Sequence, residues 1–350
     1  MPLNKLLSSI RRSSPRQRLR LFADSGKRIN LALQGGGAHG AFTWGVLDEI
    51  LCDDRIAIGG ISGASAGAVN AVLVADGLTS SGPAEAQRRL AEFWRSASFN
   101  GKLTDLQRAV VERLFSFAPG AGSPVPWLGS LSGFLSPYEA NPLNINPLRA
   151  LIERFVDFER IRRGKRELFL TATNIRSGEP RVFTRQEITA EVVMASACLP
   201  MLFRAVEIDG EAYWDGGYSA NPAILSFRRS QRAEDVLIVQ INPLDRRQLP
   251  TTARAIRARL HEITFNAPLL AELRALELIG SASRLRLHRI VMDGSGDAYD
   301  LRGRLNTEYD YFDKLRERGR RAARRFLDIH FEDIGYRSTL HGDAPKAEVA

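Results

Sequence analysis

The 350-residue chain contains little cysteine and histidine. Cys52 and Cys198 are its only cysteines, and its five histidines lie in no motif that resembles a catalytic triad. Two cysteines so far apart in sequence do not suggest a disulfide framework or a zinc site, and they favour a reducing compartment. The search for catalytic chemistry therefore turns to serine, aspartate and glycine, and no metal is expected.

The N-terminal arm, residues 1–28, lacks the continuous apolar segment and the small-residue cleavage site of a secretory signal. It holds eight Lys and Arg residues against one acid, Asp24, which accounts for +7 of the formal net charge of +9. Such an arm is either a flexible, solvated terminus or a peripheral contact with an anionic membrane surface. No base-reading motif accompanies it, so we expect no nucleic-acid partner. The chain is predicted to be cytoplasmic, with the inner membrane surface as the place where the arm would bind.

Residues 56–75 form an uncharged run of the length of a membrane span, with Gly59, Gly63 and Gly67 at the G-x-x-x-G spacing of packed transmembrane helices. Four glycines, two of them adjacent, make this run poor helix material. We therefore expect a strand, a sharp turn and a helix here instead of a membrane span.

The first quarter of the chain alternates between strand and helix patterns. Strands are predicted at 29–34 and 56–61 and helices at 38–51 and 66–76. This alternation is typical of a parallel α/β architecture, and a chain with 44% hydrophobic residues can bury a large core.

The same reasoning extends to the rest of the chain. Strands are predicted at 167–173, 181–184, 235–241 and 286–292, with a hairpin formed by 205–208 and 211–214. Helices are predicted at 83–98, 187–196, 251–283 with a break near Pro268, and 307–331 with Phe312, Leu315, Ala322, Phe326 and His330 on one face. The expected organisation is a flexible arm (1–28), a catalytic core (29–225), a C-terminal part of the same domain (226–335) and a flexible tail (336–350).

A glycine loop follows the first strand, and Gly35, Gly37 and Gly40 match the dinucleotide fingerprint G-x-G-x-x-G. Its backbone N–H groups could hold a phosphate or an oxyanion. A dinucleotide site needs an acid at the end of the second strand, about 20 residues further on. Asp53 and Asp54 precede that strand, so the oxyanion is favoured and a dinucleotide-binding oxidoreductase is the weaker alternative.

The second strand ends in a G-x-S-x-G pattern, Gly63-Ala-Ser-Ala-Gly67. Such a turn between strand and helix can expose a serine hydroxyl, and the following helix directs its N-terminal dipole at the reacting oxygen. Ser65 is therefore the candidate nucleophile.

A nucleophilic serine needs a base, and Asp215 is the candidate. It follows an apolar strand and precedes Gly216 and Gly217, which permit a close approach. An aspartate could take the serine proton directly if burial raised its pKa. Taken alone, Asp-Gly is more typical of a simple turn than of a catalytic site.

The glycine loop, the G-x-S-x-G turn and the later Asp-Gly-Gly sequence together resemble the patatin-like phospholipase family. Members of that family are acyl hydrolases with a catalytic Ser-Asp dyad. The resemblance covers residues 29–225. Within it, the segment 195–200 is similar to the stretch of sequence that precedes the dyad aspartate in that family. The resemblance implies a three-layer α/β/α fold with a mostly parallel sheet, and no cofactor. The chain departs from the family at two positions. Gln34 stands where patatins proper carry Asp, and a residue other than Asp here suits bacterial-type members. His39 stands where many relatives carry Arg or Lys.

Position by position, the resemblance implies a role for nine residues. They are Ser65 as nucleophile, Asp215 as general base, Gly35, Gly36 and Gly37 as oxyanion-hole donors, and Gly63, Gly67, Gly216 and Gly217 as supports of the two turns.

The implied substrate is a lipid or another acyl ester, cleaved in the manner of a phospholipase A. The segment 114–138 is uncharged, broken by four prolines and long for a loop. It either packs its own side chains on the core or forms a lid over an acyl-chain pocket. A catalytically silent lipid-binding protein is the alternative to an enzyme.

Overall fold

The computed structural model describes residues 26–98, 136–141, 144, 146–230, 233–246, 249–292 and 309–340. Most of the basic arm and nearly all of the expected lid segment 114–138 lie outside these residues. Whether the arm binds lipid and whether that segment covers a pocket therefore stay predictions.

Eight strands of the described residues form one sheet. In chain order they are β1 (Lys27–Leu33), β2 (Ile56–Gly63), β3 (Glu167–Asn174), β4 (Pro180–Thr184), β5 (Val206–Ile208), β6 (Glu211–Asp215), β7 (Asp235–Gln240) and β8 (Arg286–Val291). Their order across the sheet is β5-β6-β3-β2-β1-β7-β8, with β4 also paired to β3. Strands β3, β2, β1, β7 and β8 run parallel, whereas β4, β5 and β6 make antiparallel pairs at one side. The predicted α/β class with a mostly parallel sheet is confirmed.

Nine α-helices are found in the described part of the chain. They are α1 (Gly40–Cys52), α2 (Ala66–Ser80), α3 (Pro83–Ser96), α4 (Pro137–Ala140), α5 (Pro147–Phe155), α6 (Phe158–Arg163), α7 (Ala190–Ser196), α8 (Ala253–Ile279) and α9 (Tyr309–His330).

The helices cover both faces of the sheet. Successive side chains of a strand point to opposite faces, so Leu31 and Leu33 of β1 enter the larger apolar cluster with α1, α2, α3 and α9. Ala32, between them, joins Leu269 and Leu276 of α8 in the smaller cluster on the other face. Both faces of the central strands are therefore buried, as in other parallel sheets.

The expected break of α8 at Pro268 is wrong, because the helix continues through it. Proline removes one backbone hydrogen bond. Phe265, Leu269 and Leu276 are buried on one side of this helix, and their burial outweighs the lost bond.

The expected apolar face of α9 is partly wrong. Phe312, Leu315 and Phe326 are buried and Ala322 is half-buried against the same cluster, but the expected face omits Gly319 and Ala323, which are also buried. Gly319 lies against the backbone of α1, where a Cβ would overlap Phe42 O. Glycine was not recognised as a core residue because it adds nothing to an apolar pattern.

The uncharged run 56–75 forms β2, a sharp turn and part of α2, as predicted. Among the described residues, no helix has both the length and the apolar character needed to span a bilayer.

The first residues of the expected tail are held along β8. Thr339 N donates to Leu287 O at 2.9 Å, and the Ser338 hydroxyl accepts a hydrogen bond from Leu287 N at 3.0 Å. Residues 338–340 of the expected tail are therefore bonded to the sheet.

Candidate active site

The glycine loop and the serine turn meet at the carboxyl edge of the sheet. Strands β1 and β2 are parallel neighbours with Leu33 opposite Gly63, so the residues that follow both strands leave the sheet side by side. A Cβ added to Gly35 would lie only 2.6 Å from Ser65 Cβ. Ligand sites of parallel sheets are found at this edge.

Ser65 lies in a strained turn between β2 and α2. Its φ is +54°, a left-handed conformation that costs a non-glycine residue free energy and is found at functional sites. A Cβ on Gly67 would overlap Leu33 O, and a Cβ on Gly63 would lie 2.5 Å from Gly67 O. The two glycines are therefore needed for the turn to pack against β1.

Asp215 ends β6 at the same height as Ser65. Gly63 of β2 is opposite Leu170 of β3, and two residues further along β3 Ala172 is opposite Asp215. Because Ser65 is also two residues beyond Gly63, the register of three strands brings the two side chains to one place. This pairing could not be predicted from sequence, since β3 lies about 100 residues after β2 and the serine turn.

The Asp215 carboxyl group is fully buried. Its Oδ1 accepts a hydrogen bond from Gly217 N at 2.7 Å. Burial raises the pKa of Asp215 to about 7, although the Ser65 hydroxyl and the Gly217 N–H oppose this rise. The Ser65 hydroxyl is close enough to act on the pKa of this carboxyl group, and Oδ2 is buried with no other hydrogen-bond partner among the described residues. This oxygen is free to receive a proton.

The segment 195–200 connects the two candidate residues. Ser65 N donates to both the carbonyl and the hydroxyl oxygen of Ser196, each at 3.1 Å. Asp215 N donates to Cys198 O at 2.8 Å. Burial raises the pKa of the Cys198 thiol to about 12, so this cysteine is a neutral, packed residue.

The glycine loop offers two free donors, not three. Gly35 N donates to Asn221 Oδ1 at 2.7 Å, so it is not available to an oxyanion. The N–H groups of Gly36 and Gly37 have no acceptor among the described residues. Gly37, with φ of +59°, borders the pocket beside Ser65. Gly35 therefore leaves the expected donor set, and Gly36 and Gly37 remain the candidate oxyanion donors.

Buried amide side chains surround the loop. These are Gln34, Asn221, Asn242 and Asn266. The sequence marked Gln34 only as a departure from the family pattern, and it did not predict the other three. Asn242 comes two residues after β7 at the carboxyl edge, and a polar residue just beyond a buried parallel strand is a signal that could have found it. His39 is also buried, on the short helical turn that precedes α1.

A largely apolar pocket opens beside Ser65. Its lining comes from several helices and comprises Gly37, Ser65, Ala66, Val69, Phe93, Trp94, Leu148, Ala197 and Leu199. No cluster of three or more metal-ligating side chains is found in the described residues.

The chain resembles the solved structure of VipD from Legionella pneumophila at 16% identity, covering 87% of this chain and 67% of that chain with a TM-score of 0.43. It also resembles the ExoU-SpcU complex from the type III secretion system of Pseudomonas aeruginosa at 16% identity, covering 88% of this chain and 52% of that chain with a TM-score of 0.37. The chain thus spans between half and two thirds of those chains, and such weak similarities carry no argument about activity. No curated protein matches the sequence.

The family comparison is more informative. The sequence profile described as patatin-like phospholipase matches residues 31–228, which is more than half of the chain and includes the glycine loop, Ser65 and Asp215. Family membership supports hydrolase activity on lipids. The resemblance expected for 29–225 is confirmed: this chain belongs to the patatin-like phospholipase family.

Proposed function

We propose that this chain is a serine acyl hydrolase that cleaves fatty acyl esters of lipids in the manner of a phospholipase A. Ser65 is the nucleophile and Asp215 the general base, and the N–H groups of Gly36 and Gly37 bind the oxyanion. The observation that carries this proposal is the Asp215 carboxylate, buried beside Ser65 with a pKa of about 7. A base whose pKa lies near the operating pH is the most effective.

The reaction has two steps. Ser65 Oγ attacks the ester carbonyl carbon while Asp215 takes the hydroxyl proton, and the carbonyl oxygen becomes the oxyanion. The intermediate collapses to an acyl-enzyme, and the departing alcohol oxygen receives the proton from Asp215. Water then attacks the acyl-enzyme, giving its proton to Asp215. The fatty acid leaves as the proton returns to Ser65.

Two features stabilise the negative charge that develops on the carbonyl oxygen. The N–H groups of Gly36 and Gly37 are fixed donors beside Ser65, and α2 begins at Ala66 with its positive dipole end at the reacting atoms. Loss of one such donor costs about 3 kcal/mol in other enzymes. No step of this mechanism calls for a metal.

The pocket beside Ser65 favours an acyl chain over a polar substrate. Val69, Phe93 and Leu148 present only carbon atoms to it. The Trp94 ring nitrogen is directed to Asn70 Oδ1, at 3.0 Å, so this side chain also turns an apolar surface to the pocket.

The test is hydrolysis of p-nitrophenyl esters of increasing acyl length by the wild type, Ser65→Ala and Asp215→Asn. We expect the wild type to prefer longer chains and both variants to lose nearly all activity. Ser62→Ala is the matched control, because Ser62 is also buried on β2 and its hydroxyl makes no hydrogen bond among the described residues. Asp209→Asn, in the turn between β5 and β6, is the control for the second variant.

Other outcomes would favour the alternatives. A folded wild type that binds lipid but hydrolyses no ester would be a catalytically silent lipid-binding protein. Binding of NAD or NADP by an inert wild type would favour the dinucleotide hypothesis. Unchanged activity in Ser65→Ala would refute the assigned nucleophile.

A further inference from the structure

The peptide groups on either side of Gly35 are held by two asparagine side chains. Gly35 N donates to Asn221 Oδ1 at 2.7 Å, and Gly35 O accepts from Asn242 Nδ2, also at 2.7 Å. The two asparagines come from different segments, one after Gly217 and one at the end of β7. A glycine has no side chain to restrict its own conformation, so these two bonds set the orientation of the loop.

We propose that Asn242 is a positioning residue, which orients the Gly36 N–H toward the oxyanion through the peptide that joins Gly35 to Gly36. This inference rests on the proposed function. The carbonyl of Gly35 and the N–H of Gly36 belong to one planar trans peptide and point in opposite directions. With Asn242 on the carbonyl side, the N–H faces the other way, where it has no acceptor among the described residues.

The bond from Asn242 also makes this N–H a stronger donor. Hydrogen bonds that share a peptide group polarise one another, and the effect is larger where water is excluded. Asn242 is 1% exposed, so water cannot take its place at Gly35 O. Gly35 O can only accept, and the facing atom of Asn242 must be its amide nitrogen.

Gln34 holds Asn242 in this position. Its Oε1 accepts from Ile241 N at 2.9 Å and from Asn242 N at 2.8 Å, and its Nε2 donates to Asn266 Oδ1 at 2.9 Å. The end of β7 is therefore bonded to the residue that precedes the glycines. Asn242 lies beyond the family match at 31–228, so the oxyanion site depends on a part of this chain that the family match does not reach.

The matched control is Asn30. It is buried, its Nδ2 donates one bond of 2.9 Å to the backbone carbonyl of Ala233, and its Oδ1 has no partner among the described residues. Asn242 also donates through Nδ2 to one carbonyl and has an unpartnered Oδ1. Asn30 lies in the first half of β1, away from the glycine loop. The two asparagines differ mainly in the peptide they hold.

The experiment measures kcat and KM of the full-length chain on a short, soluble p-nitrophenyl ester. We expect Asn242→Ala to lower kcat by about tenfold to a hundredfold, with KM changed by less than about twofold, since the lost contact acts in the transition state. Asn242→Leu keeps the side-chain volume and should lose as much. Asn30→Ala should keep kcat within about twofold of the wild type.

Two results would overturn the proposal in distinguishable ways. If Ser65→Ala is inactive but both Asn242 variants match Asn30→Ala in kcat, the positioning role is wrong and the proposed function stands. If the wild type is inactive, or Ser65→Ala is fully active, the proposed function fails and the positioning role fails with it.

Discussion

The pKa of Asp215 determines how activity should depend on pH. Burial raises it to about 7, and in the proposed mechanism the residue must be ionised to accept the Ser65 proton. We therefore predict that kcat/KM rises with pH through about 7 and levels off above it. The measurement is a pH profile on a soluble ester, over a range where the protein stays folded. A rise centred near 4, the value of an exposed aspartate, would show that the base is not this buried carboxyl group.

The same residue should limit stability. The pKa of this carboxyl group is higher in the folded state than in the unfolded state. Its contribution to the free energy of unfolding therefore falls as the pH rises from 3.8 to about 7. Asp215→Asn should therefore raise the free energy of unfolding at pH 8 by roughly 2–4 kcal/mol and have little effect near pH 4. Urea unfolding at both pH values measures this. A variant that is destabilised at pH 8 would contradict the buried-charge account.

Ser65 and Asp215 could each be proposed from sequence as candidates, through short patterns with a physical reason for each residue. Sequence patterns could not identify the asparagines around Gly35, because each depends on a contact between segments more than 180 residues apart. Three oxyanion donors were predicted from the glycines of the loop, but the Gly35 N–H already donates to Asn221 Oδ1. Hydrogen-bond partners of a loop are set by the tertiary fold, which local sequence does not reveal.

At the scale of elements, helices α1 and α9 pack with their backbones in contact. A Cβ on Gly45 would overlap Arg316 O, and a Cβ on Gly319 would overlap Phe42 O. Alanine favours a helix by about 1 kcal/mol over glycine, but overpacking costs about 1–3 kcal/mol. We predict that Gly319→Ala lowers the free energy of unfolding.

Thermal and urea unfolding check this, with Arg325→Ala on the exposed side of α9 as the control. The control should stay within about 0.5 kcal/mol of the wild type. If Gly319→Ala raises Tm instead, the two helices do not pack as closely as described.

Strands and most helices could be predicted from sequence because their apolar patterns reflect burial. The strand pattern at 235–241 corresponds to β7, buried at every position. The prediction at Pro268 failed because packing of α8 on the sheet outweighs a local helix breaker. The face of α9 was predicted without Gly319 because the close approach of two helices at that residue depends on α1, some 270 residues earlier.

At the scale of the whole molecule, Asp235 joins the sheet to the C-terminal segment. It bonds to Arg286 at 2.7 Å and His288 at 3.0 Å, and accepts from Gly335 N at 2.8 Å. Burial alone would raise the pKa of Asp235. The hydrogen bonds to Arg286, His288 and Gly335 outweigh that effect and lower the pKa to about 2. The resulting stability is present above pH 4 and is lost as pH falls from about 4 to about 2.

We predict that Asp235→Asn lowers the free energy of unfolding by roughly 2 kcal/mol at pH 7, and that the difference from the wild type shrinks below pH 3. Urea unfolding at several pH values is the measurement, with the exposed Asp245→Asn as the control. A constant difference at all pH values would mean that the loss comes from packing and not from ionisation.

The central claim is that Ser65 is a nucleophile activated by Asp215. The most direct measurement is covalent labelling with a fluorophosphonate, located by mass spectrometry of the digested protein. We predict one label, on Ser65, in the wild type, no label in Ser65→Ala, and a rate at least about a hundredfold lower in folded Asp215→Asn. A label on another residue, or an unchanged rate in Asp215→Asn, would contradict the account.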